Sequence, residues 1–573
     1  MRMLLGVGLR AAFLFQFATF LGCNDASQKG SNSSSASSSQ LSNAQETKNE
    51  PKMHFSDVTQ ELGVKHTFRN GEEANLYTYL EAMGGGLAAL DYDRDGRMDL
   101  FFPGGGGFSE DRTLVPLPGS LWRNLESHSF VDASSQSNIR KLGYYSQGVC
   151  SGDLNNDGFP ELMVTGYGGV QLFWNQGDGT FVEQSAEVGL TDPQWSTSAA
   201  FGDFDGDSNL DVYVAHYVDW SWSKHPECNS TAGVRDICPP GAFLGLQDVV
   251  FMSNGDGSFR GVTKEIGLVP EGKGLGVVCA DLNSDSKVDV YVANDATNNF
   301  LYNNLGDGRF EEIGVSSGTA LDDRGNSNGS MGISVLDFDG DLLPDIWVCN
   351  YENETFALYK NDGNSNFRYV TSSAGVSALG KLFVAFGTVA SDFDGDGDED
   401  LVVTNGHVLR FPPSNTLAQQ PLLIKNGGRG KMAREHLPVD SYFSKKWRGR
   451  GTVLLDFDRD GDMDLAFSHV NEPAAILENQ TKSNNPWVQL ELIGKQSNRN
   501  AIGAAILFKS DKKTRLRNIV GGGSYMSQSC YSVQCVIPSD EKLLSVEVKW
   551  PNGKVTSYSD IPINQIHCVI EPD

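Results

Sequence analysis

Nine-residue acidic loops of a single spacing recur seven times along this chain, and no other feature limits its fold as tightly. The most complete runs Asp392-Phe-Asp-Gly-Asp-Gly-Asp-Glu-Asp400, and the others begin at Asp91, Asp153, Asp203, Asp281, Asp337 and Asp456. Carboxylates or carboxamides fall at positions one, three, five and nine. These are Asp91, Asp93, Asp95 and Asp99 in the first loop, Asp153, Asn155, Asp157 and Glu161 in the second, and Asp203, Asp205, Asp207 and Asp211 in the third. The fourth has Asp281, Asn283, Asp285 and Asp289, and the fifth Asp337, Asp339, Asp341 and Asp345. The sixth has Asp392, Asp394, Asp396 and Asp400, and the seventh Asp456, Asp458, Asp460 and Asp464. At this spacing a tight loop can turn several hard oxygens onto one Ca²⁺.

Apolar runs flank each loop, as Leu382-Phe-Val-Ala-Phe386 and Leu401-Val-Val403 flank the sixth. An EF-hand would need helices there and a Glu at position twelve. Position twelve is instead Phe102, Val214, Val403 or Phe467, inside strand-like runs such as Asp211-Val-Tyr-Val214. The loops are therefore the bends of β-hairpins. A second signature follows them, as in Leu172-Phe-Trp-Asn-Gln-Gly-Asp-Gly-Thr-Phe181, Val250 to Phe259, Leu301 to Phe310 and, more weakly, Leu358 to Phe367. Gly-Asp-Gly between strand-like runs is a hairpin turn. Each repeat thus supplies about four strands, and the loops start 50 to 78 residues apart. Four strands repeated radially at this length form a propeller blade.

The ends of the array predict how it closes. The seventh repeat lacks its outer strand, and an orphan copy stands at the front: Phe55-Ser-Asp-Val-Thr-Gln-Glu-Leu-Gly63 matches Phe259-Arg-Gly-Val-Thr-Lys-Glu-Ile-Gly267. Residues near 54–60 are expected to complete blade seven and leave no open seam. The expected fold is all-β, a seven-bladed propeller over 53–482 followed by a small β domain over 483–573. Strand-like runs such as Trp487-Val-Gln-Leu-Glu-Leu492 and Val546-Glu-Val-Lys-Trp550 mark that tail.

Residues 1–22 have the form of an export signal, with Arg2 and Arg10 ahead of the apolar run Ala11–Leu21, which is too short to span a bilayer comfortably. The run ends Phe20-Leu-Gly-Cys23, resembling a bacterial lipobox, so Cys23 is the expected lipidation site; ordinary cleavage nearby would give a secreted protein instead. Residues 23–52 are Ser/Asn/Gln-rich with little to bury, the composition of a flexible tether.

Of the 573 residues 73 are acidic and 45 basic, a formal charge of −28, and 29 of the acidic residues lie in the seven loops. The acidity is local to the candidate metal sites. It argues against nucleic acid as a partner, since phosphate binding needs a basic face. Two insertions stand out. One, near 216–248, holds Cys228 and Cys238, expected to form a local disulfide in an oxidising compartment. The other, about 405–450, is basic through Lys425, Arg429, Lys431, Arg434, Lys445, Lys446, Arg448 and Arg450; it suits an acidic polymer, lipid headgroups or simply solvent. Cys150, Cys279 and Cys349 read as buried thiols, and Cys530 and Cys535 are close enough in sequence to pair.

These residues carry a family likeness. The array resembles the integrin-type FG-GAP/VCBS repeat propeller. The tail resembles an ASPIC/UnbV domain through Gly494-Lys-Gln-Ser-Asn-Arg-Asn-Ala-Ile-Gly-Ala504, Gly521-Gly-Gly-Ser-Tyr-Met-Ser-Gln-Ser529 and Val548-Lys-Trp-Pro-Asn-Gly-Lys554. With Asn405-Gly-His407 and Arg450-Gly451 the whole is similar to the cartilage acidic protein family, in a bacterial-lipoprotein-like version. Where that family has a Phe-Gly-Leu-Gly-like segment, this chain has Cys535-Val-Ile-Pro538, so a shared function at that turn is not expected. The resemblance implies Ca²⁺ bound by the side chains at positions one, three, five and nine with the position-seven carbonyl. It also implies extracellular adhesion and no established catalytic chemistry.

Asn155 and Asn283 give loops two and four less charge and weaker expected binding. Position six favours Gly for its backbone freedom. Ser208, Ser286 and Leu342 stand there in loops three, four and five, and Leu342 makes loop five the poorest fit among the fully acidic ones. No His-Glu-x-x-His, Gly-x-Ser-x-Gly or phosphate-cradling Gly loop occurs. The expected function is a calcium-binding, extracytoplasmic adhesion module, lipid-anchored and meeting an envelope or matrix protein or glycan. The alternative is a polysaccharide lyase or hydrolase with His407, His469 or the basic blade-six stretch in a central cleft. A carrier acting with a partner enzyme is a third reading.

Overall fold

The computed structural model describes residues 53–573 apart from 127, 231, 414 and 415. The expected export segment, linker and Cys23 lie outside the described residues. The apolar runs beside each acidic loop pair as antiparallel hairpins, Phe201 opposite Val212 in the third repeat. A third strand adds to the second, and a fourth returns through the Gly-Asp-Gly turn, as Phe259–Gly261 does against Val249–Ser253. Seven such antiparallel sheets form among the described residues, six of four strands and the fourth joined by Gly521–Gly522 of the tail as a fifth. Their inner strands are Ala88–Leu90, Tyr145–Gly152, Ser196–Gly202, Gly274–Ala280, Ile333–Leu336, Ala385–Ser391 and Gly449–Leu455. Each touches the next, and the last touches the first, in the closed order of a β-propeller.

Blade seven takes its outer strand from the front of the chain: Phe55–Asp57 pairs with Ala475–Asn479, Phe55 opposite Asn479. Both faces of each sheet are covered by neighbouring blades, so the second strands are buried along their whole length, as Asp211–His216 is. This explains their unbroken apolar runs where a half-exposed strand would alternate. Blades three and four share a core that includes Phe204, Tyr213, Val277 and Tyr302.

The tail packs against the propeller. It forms two sheets, but its core residues Val488, Leu490, Phe508, Val548 and Trp550 are continuous with Cys150, Phe201 and Val212 of blades two and three. Its Gly521–Ser529 segment enters the centre of the ring. Gly522 pairs with Val278 of blade four, and a Cβ on Gly521 would stand 2.0 Å from the Phe201 carbonyl of blade three. The amides of Ile333 and Val149 donate to Ser524 O (3.0 Å) and Met526 O (3.1 Å). Ala89 N donates to Gln528 O (3.0 Å), Thr388 N to Ser524 Oγ (3.3 Å) and Leu454 N to Ser529 Oγ (3.1 Å). All seven inner strands therefore meet this plug. Gly86 makes room for it, since a Cβ there would lie 1.7 Å from Met526 O.

The insertions project from the opposite ends of the strands. Cys228 and Cys238 are disulfide-bonded, their Cα atoms 5.1 Å apart. Cys530 and Cys535 are free thiols and do not pair. The basic stretch over 405–450 is not one insertion. Leu422–Asn426 and Met432–Arg434 are outer strands of blade six, so Lys425 and Arg434 belong to the blade, with Arg429 and Lys431 at the hairpin between the two strands. Its hydrophobic pattern was masked by the charged residues that alternate outward. Arg450 lies in the inner strand of blade seven and is 1% exposed, its guanidinium 4.0 Å from the Phe386 ring centroid. Among the described residues no helix is long and apolar enough to cross a membrane.

Candidate metal centres

Six of the seven acidic loops are set by two carboxylates that serve the backbone, loop seven being the exception at its position-one Asp456. The position-nine group sits at the base of the hairpin, buried, and takes one amide from within its loop and one from the third strand. Asp400 accepts from Phe393 N (3.1 Å) and Asn426 N (2.7 Å), and Asp99 from Tyr92 N (3.2 Å) and Asn124 N (2.7 Å). The position-one group closes the turn. Asp392 accepts from Asp396 N (3.0 Å) and Gly397 N (2.7 Å), and Asp337 likewise from Asp341 N and Leu342 N. That turn puts position six at positive φ, +95° at Gly397 and +70° at Leu342. Leu342 bears a left-handed conformation that costs about 1–2 kcal/mol, and loop five nevertheless closes.

Five loops gather three carboxylates whose oxygens all lie within 4.8 Å of one another and that could hold a metal ion. The triads are Asp91, Asp93 and Asp99; Asp203, Asp205 and Asp211; Asp337, Asp339 and Asp345; Asp392, Asp394 and Asp400; and Asp456, Asp458 and Asp460. Asp95, Asp207, Asp341 and Asp396, at position five, stand outside these triads, as does Asp464 at position nine of loop seven. Loops two and four form none among the described residues. There the tail supplies a side-chain cation to the position-one group: Arg499 Nε is 3.1 Å from Asp153, and Lys549 Nζ is 3.1 Å from Asp281. Asn155 and Asn283 are spent on local bonds, to Asp157 (2.9 Å) and Asn303 (2.8 Å). Glu161 and Asp289 remain buried at the hairpin base, where Leu154 N and Leu282 N donate to them.

Charge compensation separates the five triads. In loops one, five and six a cation from the third strand of the same blade reaches in: Arg123 to Asp93 (2.5 Å), Lys360 to Asp339 (2.6 Å) and Lys425 to Asp394. In loops three and seven no Lys or Arg nitrogen comes within 4.0 Å of the acidic side chains among the described residues. Loop seven is the more acute case. Its third strand offers Glu478 instead, and Asp462 adds a fifth carboxylate. Asp456 is 3% exposed, and its carboxylate oxygens make no well-formed hydrogen bond, the Arg459 and Gly461 amides turning toward them only loosely. Burial, then the charges of Asp460 and Asp458, push Asp456 up to about 7; burial and the same neighbours push Asp462 to about 9.

A further set of residues escaped the sequence reading. The third strand ends in a buried Asn whose side-chain amide donates to the position-two carbonyl of the preceding blade's loop. Asn175 reaches Tyr92 O (2.8 Å), Asn304 Phe204 O (3.0 Å), Asn361 Leu282 O (2.8 Å), Asn426 Phe338 O (2.9 Å) and Asn479 Phe393 O (3.3 Å). Asn124 of blade one reaches Phe457 O of blade seven (2.7 Å) across the closure. Blade three has Ser253 at this place and makes no such bond to Leu154. The recurring Asn before the turn was the available signal; it read only as turn chemistry.

The histidines expected in a catalytic cleft are packed away. His469 is 1% exposed, stacked on Trp447 at 5.1 Å and bonded to the Tyr442 hydroxyl at 2.7 Å, and burial pushes it down to about 4. His407, also 1% exposed, accepts Leu409 N (3.1 Å) and lies 3.3 Å from Glu352; burial lowers its pKa against the pull of that carboxylate.

Sheets joined in a ring, acidic hairpins at one end of each and a docked tail define the class. Residues 153–214, 281–348 and 337–403 match the FG-GAP-like repeat, and 494–573 match the ASPIC and UnbV family. The chain thus carries FG-GAP-like repeats and an ASPIC/UnbV-type tail. It is homologous to cartilage acidic protein 1, with 26% identity to the Mus musculus protein over 527 residues (80% of this chain, 78% of the relative). Identity to the Homo sapiens protein is 25% over 509 residues (78% and 74%). Among solved structures it is similar to the BP39L lectin from Burkholderia pseudomallei (TM-score 0.40, 11% identity, 70% of this chain and 97% of that one). It is also similar to Saccharomyces cerevisiae Sqt1 (TM-score 0.40, 10% identity, 76% and 100%).

Proposed function

We propose that the protein is an extracytoplasmic adhesion module whose propeller is held together by Ca²⁺ in its acidic hairpins. The observation that carries the metal is loop seven, five carboxylates with no Lys or Arg paired to them among the described residues and a buried Asp456 that makes no well-formed hydrogen bond. Two carboxylates about 4 Å apart repel by about 4 kcal/mol at an effective dielectric of about 20, so such a loop takes up a cation or opens. Oxygen-only ligands select a hard ion, and extracellular Ca²⁺ modules work near 10⁻⁴–10⁻³ M. The order of demand is loops three and seven first, then one, five and six, where Arg123, Lys360 and Lys425 compete with the metal. Loops two and four are held by Arg499 and Lys549 and take no ion.

The Cys228–Cys238 disulfide supports an oxidising compartment, consistent with export and a lipid anchor at Cys23. The partner is an envelope or matrix protein or glycan. The test is calcium stoichiometry by equilibrium dialysis, joined to retention on arrays of polysaccharides and envelope polymers in millimolar Ca²⁺ and in chelator. Two or more bound ions, with retention lost in chelator and no released fragments, is the expected result. Fragments that accumulate with time would instead favour the lyase or hydrolase reading, and zero bound ions would overturn the calcium reading.

A further inference from the structure

At the strand ends away from the acidic loops the ring axis opens into a cavity of about 350 Å³. Its floor is apolar: Leu275, Met331 and Phe386 lie in one cluster with the plug residue Tyr525. Its walls come from segments outside the repeat pattern, and the disulfide at Cys238 braces one of them. Three carboxylates, Asp236, Asp295 and Glu354, line it with the phenols of Tyr79, Tyr217 and Tyr351, and among the described residues no Lys, Arg or His does.

The polar groups are fixed in place. The Tyr217 hydroxyl donates to Asp295 and lies 2.7 Å from that of Tyr79, and the two rings stack at 5.4 Å and 12°. Glu354 accepts Gly329 N (2.9 Å) and Tyr351 N (3.1 Å). Asp236 accepts Arg410 N (2.8 Å) and Phe411 N (3.1 Å). The nearby cations are engaged elsewhere: Lys273 Nζ donates to Pro240 O (2.9 Å), and Arg410 pairs with Glu81 (2.6 Å). Burial pushes Asp295 up to about 6 and Glu354 to about 7, so the enclosure itself opposes their ionisation. Among the described residues these three carboxylates are not gathered into a group within 4.8 Å as the loop triads are. Spaced carboxylates, aromatic faces and an apolar floor suit a cation with some length, held by charge on one side and by cation–π contact on the other.

We propose that this cavity binds an organic ammonium group carried on a compact apolar body, at a site independent of the acidic loops. The probes are choline and phenethylamine, titrated into the full chain in millimolar Ca²⁺. Fluorescence of Trp195, 5.4 Å from the Tyr217 ring, reports binding, and calorimetry confirms it. Saturable binding at least about tenfold tighter than that of 3,3-dimethyl-1-butanol, the neutral isostere of choline, is expected. Asp295→Asn and Glu354→Gln should each weaken it by about tenfold with an unchanged circular dichroism spectrum. Met83→Trp, which adds bulk to a lining residue without altering charge, should abolish it, and serves if a carboxylate variant does not fold. Equal binding of the neutral isostere, no saturation up to about 10 mM of either ammonium, or retention of full affinity by the variants overturns the proposal. So does displacement of the probe by added Ca²⁺, which would place it in the acidic loops.

Discussion

Asp456 allows the metal argument to be tested through stability. In metal-free protein its pKa rises from 3.8 to about 7, driven first by burial and then by Asp460 and Asp458. Between those values the native state holds a proton that the unfolded chain has lost. From this group stability therefore falls as pH rises from about 4 to 7, and Asp462, raised to about 9, carries the fall beyond that range. The rise corresponds to about 4 kcal/mol for Asp456 alone, and Asp203 and Asp337, each raised to about 6 mainly by burial, act in the same direction. Bound Ca²⁺ replaces the proton. At about 100 times its Kd it adds about 2.7 kcal/mol per site, and it should do so at pH 8, not at pH 5. The assay is urea unfolding with chelator and with millimolar Ca²⁺ at both pH values, for wild type and Asp456→Asn. Chelated wild type should be less stable at pH 8 than at pH 5, and calcium should erase the difference. The variant should lose up to about 4 kcal/mol of that pH dependence and part of the calcium gain. Chelated wild type equally stable at both values, or a variant with the full calcium response, refutes the reasoning.

Two further outcomes follow from the geometry. Asn426→Ala removes a buried donor and leaves Phe338 O unpaired, so unfolding free energy should drop by about 1–3 kcal/mol; an unchanged urea midpoint would mean the blade-to-blade bond is idle. Gly86→Ala places a methyl 1.7 Å from Met526 O, which the plug cannot accept without moving, so limited proteolysis should cut near 521–530 in the variant alone. An intact tail under conditions that leave wild type uncut would show that the axis has room to spare.

The sequence alone determined the repeating unit, because loop spacing and strand periodicity are local. Carboxylates at alternate positions can converge only if the chain turns there, and apolar runs on both sides can only be strands covered on both faces. It also determined the closure: Phe55–Asp57 is a strand whose sheet lies more than 400 residues away, and the likeness of Phe55–Gly63 to Phe259–Gly267 says so without coordinates. The local disulfide was legible for the same reason, its two cysteines lying 10 residues apart. Charge compensation was decided only by tertiary structure. Whether a loop holds three converging carboxylates or an ion pair depends on side chains brought from elsewhere, Lys360 from a neighbouring strand or Arg499 and Lys549 from the tail, and no spacing in the loop records them. The same holds for Asn479, whose amide is a turn residue in sequence and a tie between blades in space, and for Gly521–Ser529, a glycine-rich loop until the ring closes around it. The surroundings of His407 and His469 were likewise set only in space, His407 lying against Tyr351 and Glu352 and His469 against Trp447 and the Pro473 carbonyl.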